Sequence, residues 1–306
     1  MVLLRKLEEL KKLLVTKEKM KLAVVSAEEE NVLIAVDDAF NNGLIIPILI
    51  GDIEKISLYA SKLLIDISKY QIISANSFEE SAKIAVTMVN EGRADFLIKG
   101  LLDTSILLKQ VLNKDYGLIS GKQLSHVMIY EMPNYNKLLF LTDGGMVTYP
   151  SLSQKKDLIL NAVEVARAIG YEEIKVACLA AKEKINPKMP ATVDAGQLKE
   201  MYLNKQFENG VIVEGPISLD LAISKESADI KKYNSPVAGD ADVLLVPNIE
   251  MGNGIGKSIS LFGNGLNAGV IMGATSPIVL VSRSDSYESK YYSILLGAIV
   301  SQYNRK

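Results

Sequence analysis

Short apolar runs alternate with helical stretches along almost the whole chain, and this alternation constrains the fold more than any other feature. Several runs are apolar at successive positions, as in strands that helices cover on both faces; examples are "KLAVVSA", "ADFLIKG", "GVIVEGP" and "ADVLLVP". Residues 152–169 instead carry an apolar stripe at helical spacing, with a serine before it and Gly170 after it. The pattern predicts an α/β architecture with largely parallel sheets.

Three segments predict local departures from this simple pattern. "HVMIYEMP" and "KLLFLTDGG" are separated only by "NYN", which is typical of an antiparallel hairpin. Pro47, inside "LIIPILIGD", predicts an edge strand or a strand start, because proline has no N–H to donate to a central ladder. The N-terminal segment predicts an amphipathic surface helix rather than a signal peptide, because charged residues separate leucines at helical spacing: Leu3, Leu7, Leu10 and Leu14.

Composition excludes several classes of protein. The chain has 306 residues, of which 48% are hydrophobic and 23% charged, and its formal net charge of −2 gives no global field that would attract nucleic acid or a membrane surface. Its longest apolar runs are too short to cross a bilayer. We therefore expect a cytoplasmic protein with one large or two ordinary domains and with no nucleic-acid or membrane partner.

Single copies of cysteine and histidine limit the chemistry further. One cysteine, Cys178, excludes an intrachain disulfide and a multi-thiolate metal site, and one histidine, His126, excludes a metal site built on two histidines. We therefore expect no metal site. Cys178 lies inside "KVACLAA" and is predicted to be a buried apolar residue rather than a nucleophile. His126 begins an apolar run and is interpreted as a structural, hydrogen-bonded residue, with catalysis as the alternative.

The segment "IEMGNGIGKS" follows the apolar run "DVLLVP" and is rich in glycine. It resembles a nucleoside triphosphate loop, but only three residues separate Gly252 from Gly256, where that loop needs four. As a loop after a buried strand, it could hold an anion through backbone N–H groups and the Lys257 ammonium. The alternative that stays open is a flexible turn with a solvated lysine.

The segment "KGLLDTS" follows the predicted strand "ADFLI". Gly100 permits close approach of the backbone to another group at the end of that strand. Thr104 and Ser105 then offer hydroxyl donors where a helix is predicted to start, which suits an anion. The alternative is a turn followed by an ordinary helix cap.

The last apolar run, in "PIVLVSRSDSYESK", is predicted to end at Ser282 and Arg283, and a helix is predicted to begin near Asp285. An arginine beside a helix N-terminus is a natural phosphate site, because a guanidinium and unbonded backbone N–H groups converge on one anion. Asp285 and Glu288 have the spacing of a capping box, so a helix cap is the alternative for Asp285. A surface ion pair is the alternative for Arg283.

Several specific blocks in a fixed order make the chain resemble the phosphate acetyl/butyryltransferase family, and its length is similar to that of the butyryl members. The resemblance covers nearly the whole chain beyond the N-terminal helix; it rests on "ADFLIKGLLDTSILLKQVLN", "LTDGG", "QKKDLILNAVEVARAIG", "KVACLAAKEKINPKMPATVDA", "VEGPISLDLAIS", "VAGDADVLLVPNIEMGN" and "PIVLVSRSDS". It implies two α/β domains with the site in a cleft between them, a fold related to isocitrate and isopropylmalate dehydrogenases. The implied boundaries are 1–122 with 275–306 for one domain and 123–274 for the other, in a homodimer or higher homo-oligomer.

The activity that the resemblance implies is reversible transfer of a short acyl group, butyryl first, between coenzyme A and inorganic phosphate. The small-molecule partners are then acyl-CoA, phosphate and acyl phosphate, with coenzyme A as a substrate and no bound cofactor or covalent enzyme intermediate. The implied catalytic residues are Ser282, Arg283 and Asp285. The implied phosphate- and coenzyme A-binding residues are Lys99, Gly100, Thr104, Ser105, Lys109, Asn253 and Lys257.

The sequence departs from the acetyl-type pattern at three positions. Where those members carry an arginine in the helix after the "TS" pair, this chain has Gln110, next to a lysine. Lys99 stands where they have a small residue, which would let a lysine replace part of the anion clamp. Their acid in the last helix aligns near Ser289, which leaves Asp285 or Glu288 to act as the general base.

Three alternative functions stay open. An acetyl-specific enzyme would be distinguished by its rates across acyl chain lengths. A dehydrogenase on the related fold needs a metal-binding carboxylate cluster and a nucleotide-binding loop, and neither is identified in the sequence. A non-catalytic ligand-binding or assembly protein would show the same ligand-linked melting shift after Arg283 is replaced by alanine.

Overall fold

A computed structural model describes residues 4–14, 18–282 and 285–305. The chain divides into two compact units. The central unit consists of Met1–Lys6 and Gln123–Leu266, and the terminal unit consists of Leu7–Lys122 and Asn267–Lys306. The domain boundaries expected from the sequence stay a prediction. Within the described ranges, no helix combines the length and the apolar character that crossing a bilayer requires.

The predicted α/β class is confirmed, because strands and helices alternate through most of the chain. The strands are β1 (Met20–Val25), β2 (Ile45–Gly51), β3 (Gln71–Ser74), β4 (Phe96–Lys99), β5 (Ser125–Glu131), β6 (Leu139–Thr142), β7 (Ile174–Leu179), β8 (Val211–Ile217), β9 (Val243–Leu245), β10 (Leu266–Met272) and β11 (Ile278–Val279). The helices are α1 (Leu10–Leu14), α2 (Glu30–Asn41), α3 (Ile53–Lys62), α4 (Phe78–Asn90), α5 (Thr104–Val111), α6 (Leu152–Ala168), α7 (Pro190–Leu203), α8 (Leu219–Ile223), α9 (Lys225–Ile230), α10 (Ile249–Phe262) and α11 (Tyr287–Asn304).

In the terminal unit the strand order is β3-β2-β1-β4-β11-β10. β1 pairs in parallel with β2 and β4, β2 pairs in parallel with β3, and β4 pairs in parallel with β11. Parallel strands end at the same edge of a sheet, so the segments that follow these strands leave it side by side. Helix α11 packs on β1, β4 and β11 and is buried along most of its length, as expected of a helix within the core.

In the central unit the strand order is β5-β6-β9-β7-β8. β5 and β6 pair antiparallel, so the predicted hairpin is confirmed, and the remaining neighbours pair in parallel. A core cluster that includes Leu139, Leu221 and Leu244 packs on one face of this sheet. Burying each such leucine contributes about 1.5–3 kcal/mol relative to leaving it in water.

Helix α6 follows from its local sequence. The segment 152–169 was predicted to be helical, and the structure has the helix at Leu152–Ala168. Ser151 caps it, and the side chain of Gln154 bonds back to the Ser151 backbone, which completes a capping box. Gly170 has a φ of 99°, a left-handed conformation that ends helices and that glycine adopts without strain.

The N-terminal leucines are apolar anchors of the terminal unit. Leu7, Leu10 and Leu14 are buried, and α1 packs on α11. The amphipathic helix is therefore confirmed for the described residues, although its first turn, Leu7–Glu9, is a 3-10 helix. Leu3 lies outside the described residues.

Two strand predictions are wrong in detail. β2 has β1 on one side and β3 on the other, so Pro47 does not mark an edge strand; it is the third residue of β2, close to the strand start that was the other possibility. The proline is tolerated because the pairing with β3 begins only at Ile48, one residue later. The last strand, β11, ends at Val279 rather than at Ser282, and the N–H of Ser282 bonds to the Asp285 carboxylate instead of to a neighbouring strand.

Candidate active site

Two of the segments with predicted anion-binding residues leave the terminal-unit sheet from neighbouring strands. β4 pairs in parallel with β11, with Ile98 opposite Val279. Residues 100–105 follow the first strand and residues 280–285 follow the second, so both segments begin at the same edge. Each segment has its own local signal in the sequence, and the pairing of their strands brings the starts of both segments to one edge of the sheet.

Lys99 ends β4 and turns its ammonium into the loop that follows. The residue is 5% exposed, and Nζ donates to the carbonyl oxygens of Gly100 at 3.2 Å and Leu102 at 3.1 Å. The backbone N–H of Gly100 donates to the carbonyl of Val25 at 2.8 Å, and a Cβ on this glycine would lie 2.3 Å from the carbonyl oxygen of Ser26. Glycine is therefore required by close packing against β1. Contact of Lys99 or Gly100 with a ligand stays a prediction.

Helix α5 offers hydroxyl groups and a cation at this edge. Thr104 and Ser105 are its first two residues rather than its N-cap. Ser105 and Lys109 are exposed and four residues apart, so they share one face of the helix. Gln110 is buried and accepts a hydrogen bond from the Tyr116 hydroxyl, so it is engaged inside the protein. The N–H groups of the first turn, a hydroxyl and an ammonium form a set that suits an anion.

Asp285 closes a turn instead of capping the last helix. Its Oδ2 accepts a hydrogen bond from the backbone N–H of Ser282 at 2.7 Å, and its own N–H donates to the Ser282 carbonyl at 3.1 Å. Ser286 caps α11 and accepts from the N–H of Ser289 at 3.2 Å. The alternative of a helix cap at Asp285 is therefore wrong, because Ser286 is the cap and the Asp285 carboxylate bonds to Ser282. Arg283 lies outside the described residues, and its phosphate role stays a prediction.

The glycine-rich segment of the central unit is helical, so its interpretation as a loop is wrong. It forms the first turns of α10, which Asn248 caps. A Cβ on Gly252 would lie 2.7 Å from the Cα of Gly144, and a Cβ on Gly256 would lie 2.5 Å from the Tyr130 hydroxyl. The two glycines are four residues apart, so they share the face that packs on the rest of the unit. They serve close packing rather than the conformational freedom of a phosphate loop.

Asn253 and Lys257 lie on another face of α10. Both are exposed and are four residues apart, so they face the same way. The Asn253 amide nitrogen is 3.4 Å from the carbonyl oxygen of Gly144, a long hydrogen bond that leaves the residue accessible. An amide and an ammonium on one exposed face suit an anionic group, and binding there stays a prediction.

Asp143 is a structural residue whose role was not predicted from the sequence. It is 1% exposed, and its carboxylate accepts backbone N–H groups of Gly145 at 2.7 Å, Met146 at 2.8 Å and His126 at 2.9 Å. These bonds hold in place the segment on which α10 packs. An aspartate followed by two glycines after an apolar run is typical of a tight turn, and this signal was available in the sequence.

Cys178 is buried in β7, as predicted. It is 1% exposed, and burial raises the pKa of its thiol because the thiolate would lose its hydration. The negative charge of Glu214 acts in the same direction. A thiol of this kind stays protonated at neutral pH and cannot reach a substrate.

A surface cavity of about 810 Å³ lies where β1, β2 and β3 end. Its charged lining is mainly acidic and includes Glu28, Asp52, Glu54 and Glu79, with Lys55 as a cation. Burial raises the pKa of Glu28 above its ordinary value of 4.5. An acidic lining disfavours phosphate, so this cavity is a poorer anion site than the edge formed by β4 and β11.

Comparison with known proteins identifies the family. The model of the family described as phosphate acetyl/butaryl transferase matches residues 3–85 and 75–298. The chain belongs to this family of acyltransferases, and the resemblance seen in the sequence is confirmed.

Two relatives and one solved structure match the chain along most of its length. A Clostridium acetobutylicum protein named phosphate butyryltransferase is 44% identical over 286 residues, which is 94% of this chain and 95% of that protein. A Thermotoga maritima protein named phosphate acetyltransferase is 40% identical over 279 residues, which is 91% of this chain and 94% of that protein. The crystal structure of a branched-chain phosphotransacylase from Enterococcus faecalis is 33% identical, has a TM-score of 0.82, and matches 92% of this chain and 99% of that one.

Proposed function

We propose that the protein transfers a butyryl group reversibly between coenzyme A and inorganic phosphate, so that butanoyl-CoA and phosphate give butanoyl phosphate and coenzyme A. The observation that carries the proposal is the parallel pairing of β4 with β11. The segment that leads to α5 and the segment that leads to the Ser282 turn, in which Ser282 and Asp285 bond to each other, therefore leave the same edge of the sheet. Family membership supports acyl transfer, and the name of the Clostridium relative supports the butyryl group.

Phosphate binding needs several donors around one anion. In our proposal, Thr104, Ser105 and the N–H groups of the first turn of α5 bind phosphate oxygens, and Lys109 supplies a positive charge. Lys99 holds the preceding loop through the carbonyls that it bonds. Arg283 adds a guanidinium. The exposed face of α10 with Asn253 and Lys257 is proposed to contact phosphate or the phosphate groups of coenzyme A.

The proposed chemical step is attack by the coenzyme A thiolate on the carbonyl carbon of the acyl phosphate. A C–S bond forms, the C–O bond to phosphate breaks, and the thiol proton goes to a base. A thiol with a pKa near ~8.5 is ionised only to a small extent at neutral pH, so a general base accelerates the step. Asp285 and Glu288 are the proposed candidates for this base. The exposed Ser282 is proposed to donate a hydrogen bond to the oxyanion that develops.

Direct transfer between the two bound substrates accounts for the reaction without an enzyme-bound acyl group. The single cysteine is buried, which removes the usual route through a thioester on the enzyme. Holding both substrates in an aligned geometry supplies much of the rate, because it converts a bimolecular step into a unimolecular one.

The test is an acyl-chain profile with the purified protein. Thiol release is followed from acetyl-, propionyl-, butyryl- and valeryl-CoA, with and without phosphate. We expect phosphate-dependent release with the highest kcat/KM for butyryl-CoA, and each methylene change should alter kcat/KM by about 10- to 200-fold at most. Absence of phosphate-dependent release with every acyl-CoA would refute the proposal.

A phosphate acetyltransferase is the second candidate, because the Thermotoga relative carries that name at 40% identity. The same profile decides between the two. A maximum at acetyl-CoA would replace the butyryl assignment and leave acyl transfer to phosphate in place.

The setting of the proposed enzyme follows the family resemblance. We propose that coenzyme A acts only as a substrate, that no other cofactor is bound, and that the protein works in the cytoplasm as a homodimer or larger homo-oligomer. Size-exclusion chromatography with light scattering measures the molar mass of the protein in solution. A monomeric mass at assay concentration would contradict that part of the proposal.

A further inference from the structure

Lys290 is an almost fully buried lysine near the start of α11, and its ammonium points at the Ser282 turn. The residue is 2% exposed, and Nζ donates to the carbonyl oxygens of Asp285 at 3.0 Å and Ser282 at 3.4 Å. Oε1 of Glu29, the residue that caps α2, lies 4.0 Å from the same nitrogen. One ammonium therefore lies between the Ser282 turn and the start of α2.

Burying an ammonium costs free energy, so the presence of a lysine at this buried position needs a reason. Lysine is almost never fully buried unless its charge is paired. Here the ammonium lies beside the Glu29 carboxylate and bonds to two carbonyl groups. Replacing a whole buried ion pair with apolar residues is often neutral or stabilising, so the pair alone is weak evidence of a stabilising role. The better reason for a lysine at this position is that its ammonium fixes the positions of the two carbonyl groups to which it donates.

The Ser282 turn is held on its inner side by hydrogen bonds. The N–H of Ser282 bonds to Oδ2 of Asp285, and the N–H of Asp285 bonds back to the Ser282 carbonyl. Lys290 then binds the carbonyl oxygens of both residues. Ser282 is nevertheless exposed. Hydrogen bonds therefore fix its N–H and carbonyl groups, while the residue remains accessible to a substrate.

We propose that Lys290 is a positioning residue for acyl transfer: it sets the place of the Ser282 turn beside the loop after β4 and does not touch the substrate. This inference rests on the proposed function. A misplacement of about 1 Å can cost about 100-fold in rate. Loss of the ammonium therefore lowers kcat, whereas substrate binding through other residues keeps KM nearly unchanged.

The test compares Lys290→Met and Lys290→Gln with the wild type in the butyryl-CoA assay. Methionine keeps the length and removes every donor, whereas glutamine keeps an N–H donor with a shorter reach. We expect kcat to fall about 10- to 100-fold in Lys290→Met and less in Lys290→Gln, with KM for butyryl-CoA changed by no more than about threefold. Lys290→Met leaves Glu29 and the two carbonyl groups without their cation, so its melting temperature should fall, and kcat is compared at a temperature below the melting transition of every variant.

Ser301→Ala is the matched control on the same helix. Ser301 is also buried, and its hydroxyl donates to the carbonyl of Asp95 at 3.1 Å, about three helical turns from Lys290. This variant should keep kcat within about twofold, because it loses a hydrogen bond far from the turn.

Three results would overturn the inference while leaving the proposed function standing. The first is a wild-type kcat in Lys290→Met, and the second is an equal loss of kcat in Ser301→Ala. The third is failure of both Lys290 variants to fold while Ser301→Ala folds, which would make Lys290 a folding residue. A wild-type protein without acyl transfer would instead contradict the proposed function, and this inference with it.

Discussion

Replacing Gly100 with alanine tests whether the loop after β4 is packed too closely on β1 to accept a side chain. A Cβ at this position would lie 2.3 Å from the carbonyl oxygen of Ser26 and 2.7 Å from that of Val25. Both are backbone atoms, so neither can rotate away. Ordinary contact begins at 3.4 Å, and the loop would have to move by roughly 1 Å to reach it.

That movement sets the size of the effect. It breaks or lengthens the bonds from the N–H of Gly100 to Val25 at 2.8 Å and from the N–H of Leu101 to Ser26 at 2.9 Å. Each bond contributes about 1 kcal/mol net, and relieving the overlap costs about 1 kcal/mol or more. We expect Gly100→Ala to lose roughly 3 kcal/mol of unfolding free energy, and acyl transfer to fall about 100-fold because the start of α5 moves with the loop.

The assay is scanning calorimetry together with the butyryl-CoA rate. For a chain of 306 residues, a loss of roughly 3 kcal/mol corresponds to a melting temperature lower by about 5 °C. Gly254→Ala is the matched control, because among the described residues nothing lies within 4 Å of a Cβ there and the position is inside α10. Alanine should stabilise that helix by about 0.5–1 kcal/mol, so the two variants should shift in opposite directions. A Gly100→Ala protein that melts at or above the wild-type temperature would refute the packing argument.

Two further predictions concern charge. Burial raises the pKa of Glu28 above 4.5; the charge of Asp52 acts in the same direction, and that of Lys55 opposes it. The folded protein therefore holds the proton on Glu28 more tightly than the unfolded chain does. The contribution of this proton to the unfolding free energy is fully present below pH 4.5 and is lost as the pH rises through the raised pKa. Glu28→Gln should therefore be more stable than the wild type near neutral pH, with a gap that closes as the pH falls toward 4.5 in urea unfolding; a gap independent of pH would contradict this. Lys109→Met should raise KM for phosphate about fivefold, since an exposed ion pair contributes up to roughly 1 kcal/mol, while the exposed Lys114→Met should not. An equal KM in both variants would argue against phosphate binding by Lys109.

Local patterns predicted the elements whose determinants are close in the chain. The α6 helix matched within one residue of its predicted end, because its cap, its apolar stripe and its closing glycine all lie inside or beside it. The hairpin of β5 and β6 was predicted for the same reason, since its two strands are joined by a short connection. Several of the wrong predictions have a different cause, which is a partner distant in sequence; the exception is Asp285, whose carboxylate bonds to Ser282 only three residues away.

The candidate site shows this difference at particular residues. Thr104 and Ser105 were singled out by a local signal, hydroxyl residues where a helix starts, and Lys109 by the family resemblance. Contact of these residues with a ligand stays a prediction. The helical state of the glycine-rich segment was missed, because Gly252 and Gly256 pack on Gly144 and Tyr130 from other parts of the chain. The bonds from Gly145 and Met146 to Asp143 are local and could have been predicted, whereas the bond from the N–H of His126 joins residues 17 positions apart.

The sequence by itself determined the α/β class, the parallel character of most strands, the main helices and the family, because periodicity and short motifs are properties of neighbouring residues. Only the tertiary structure decided that β4 lies beside β11 and that Lys290 holds the Ser282 turn. The strands β4 and β11 are far apart in the chain, and no local pattern specifies which strand end adjoins which. That choice is made by long-range packing of the sheet and of α11, and it determines which predicted residues become neighbours.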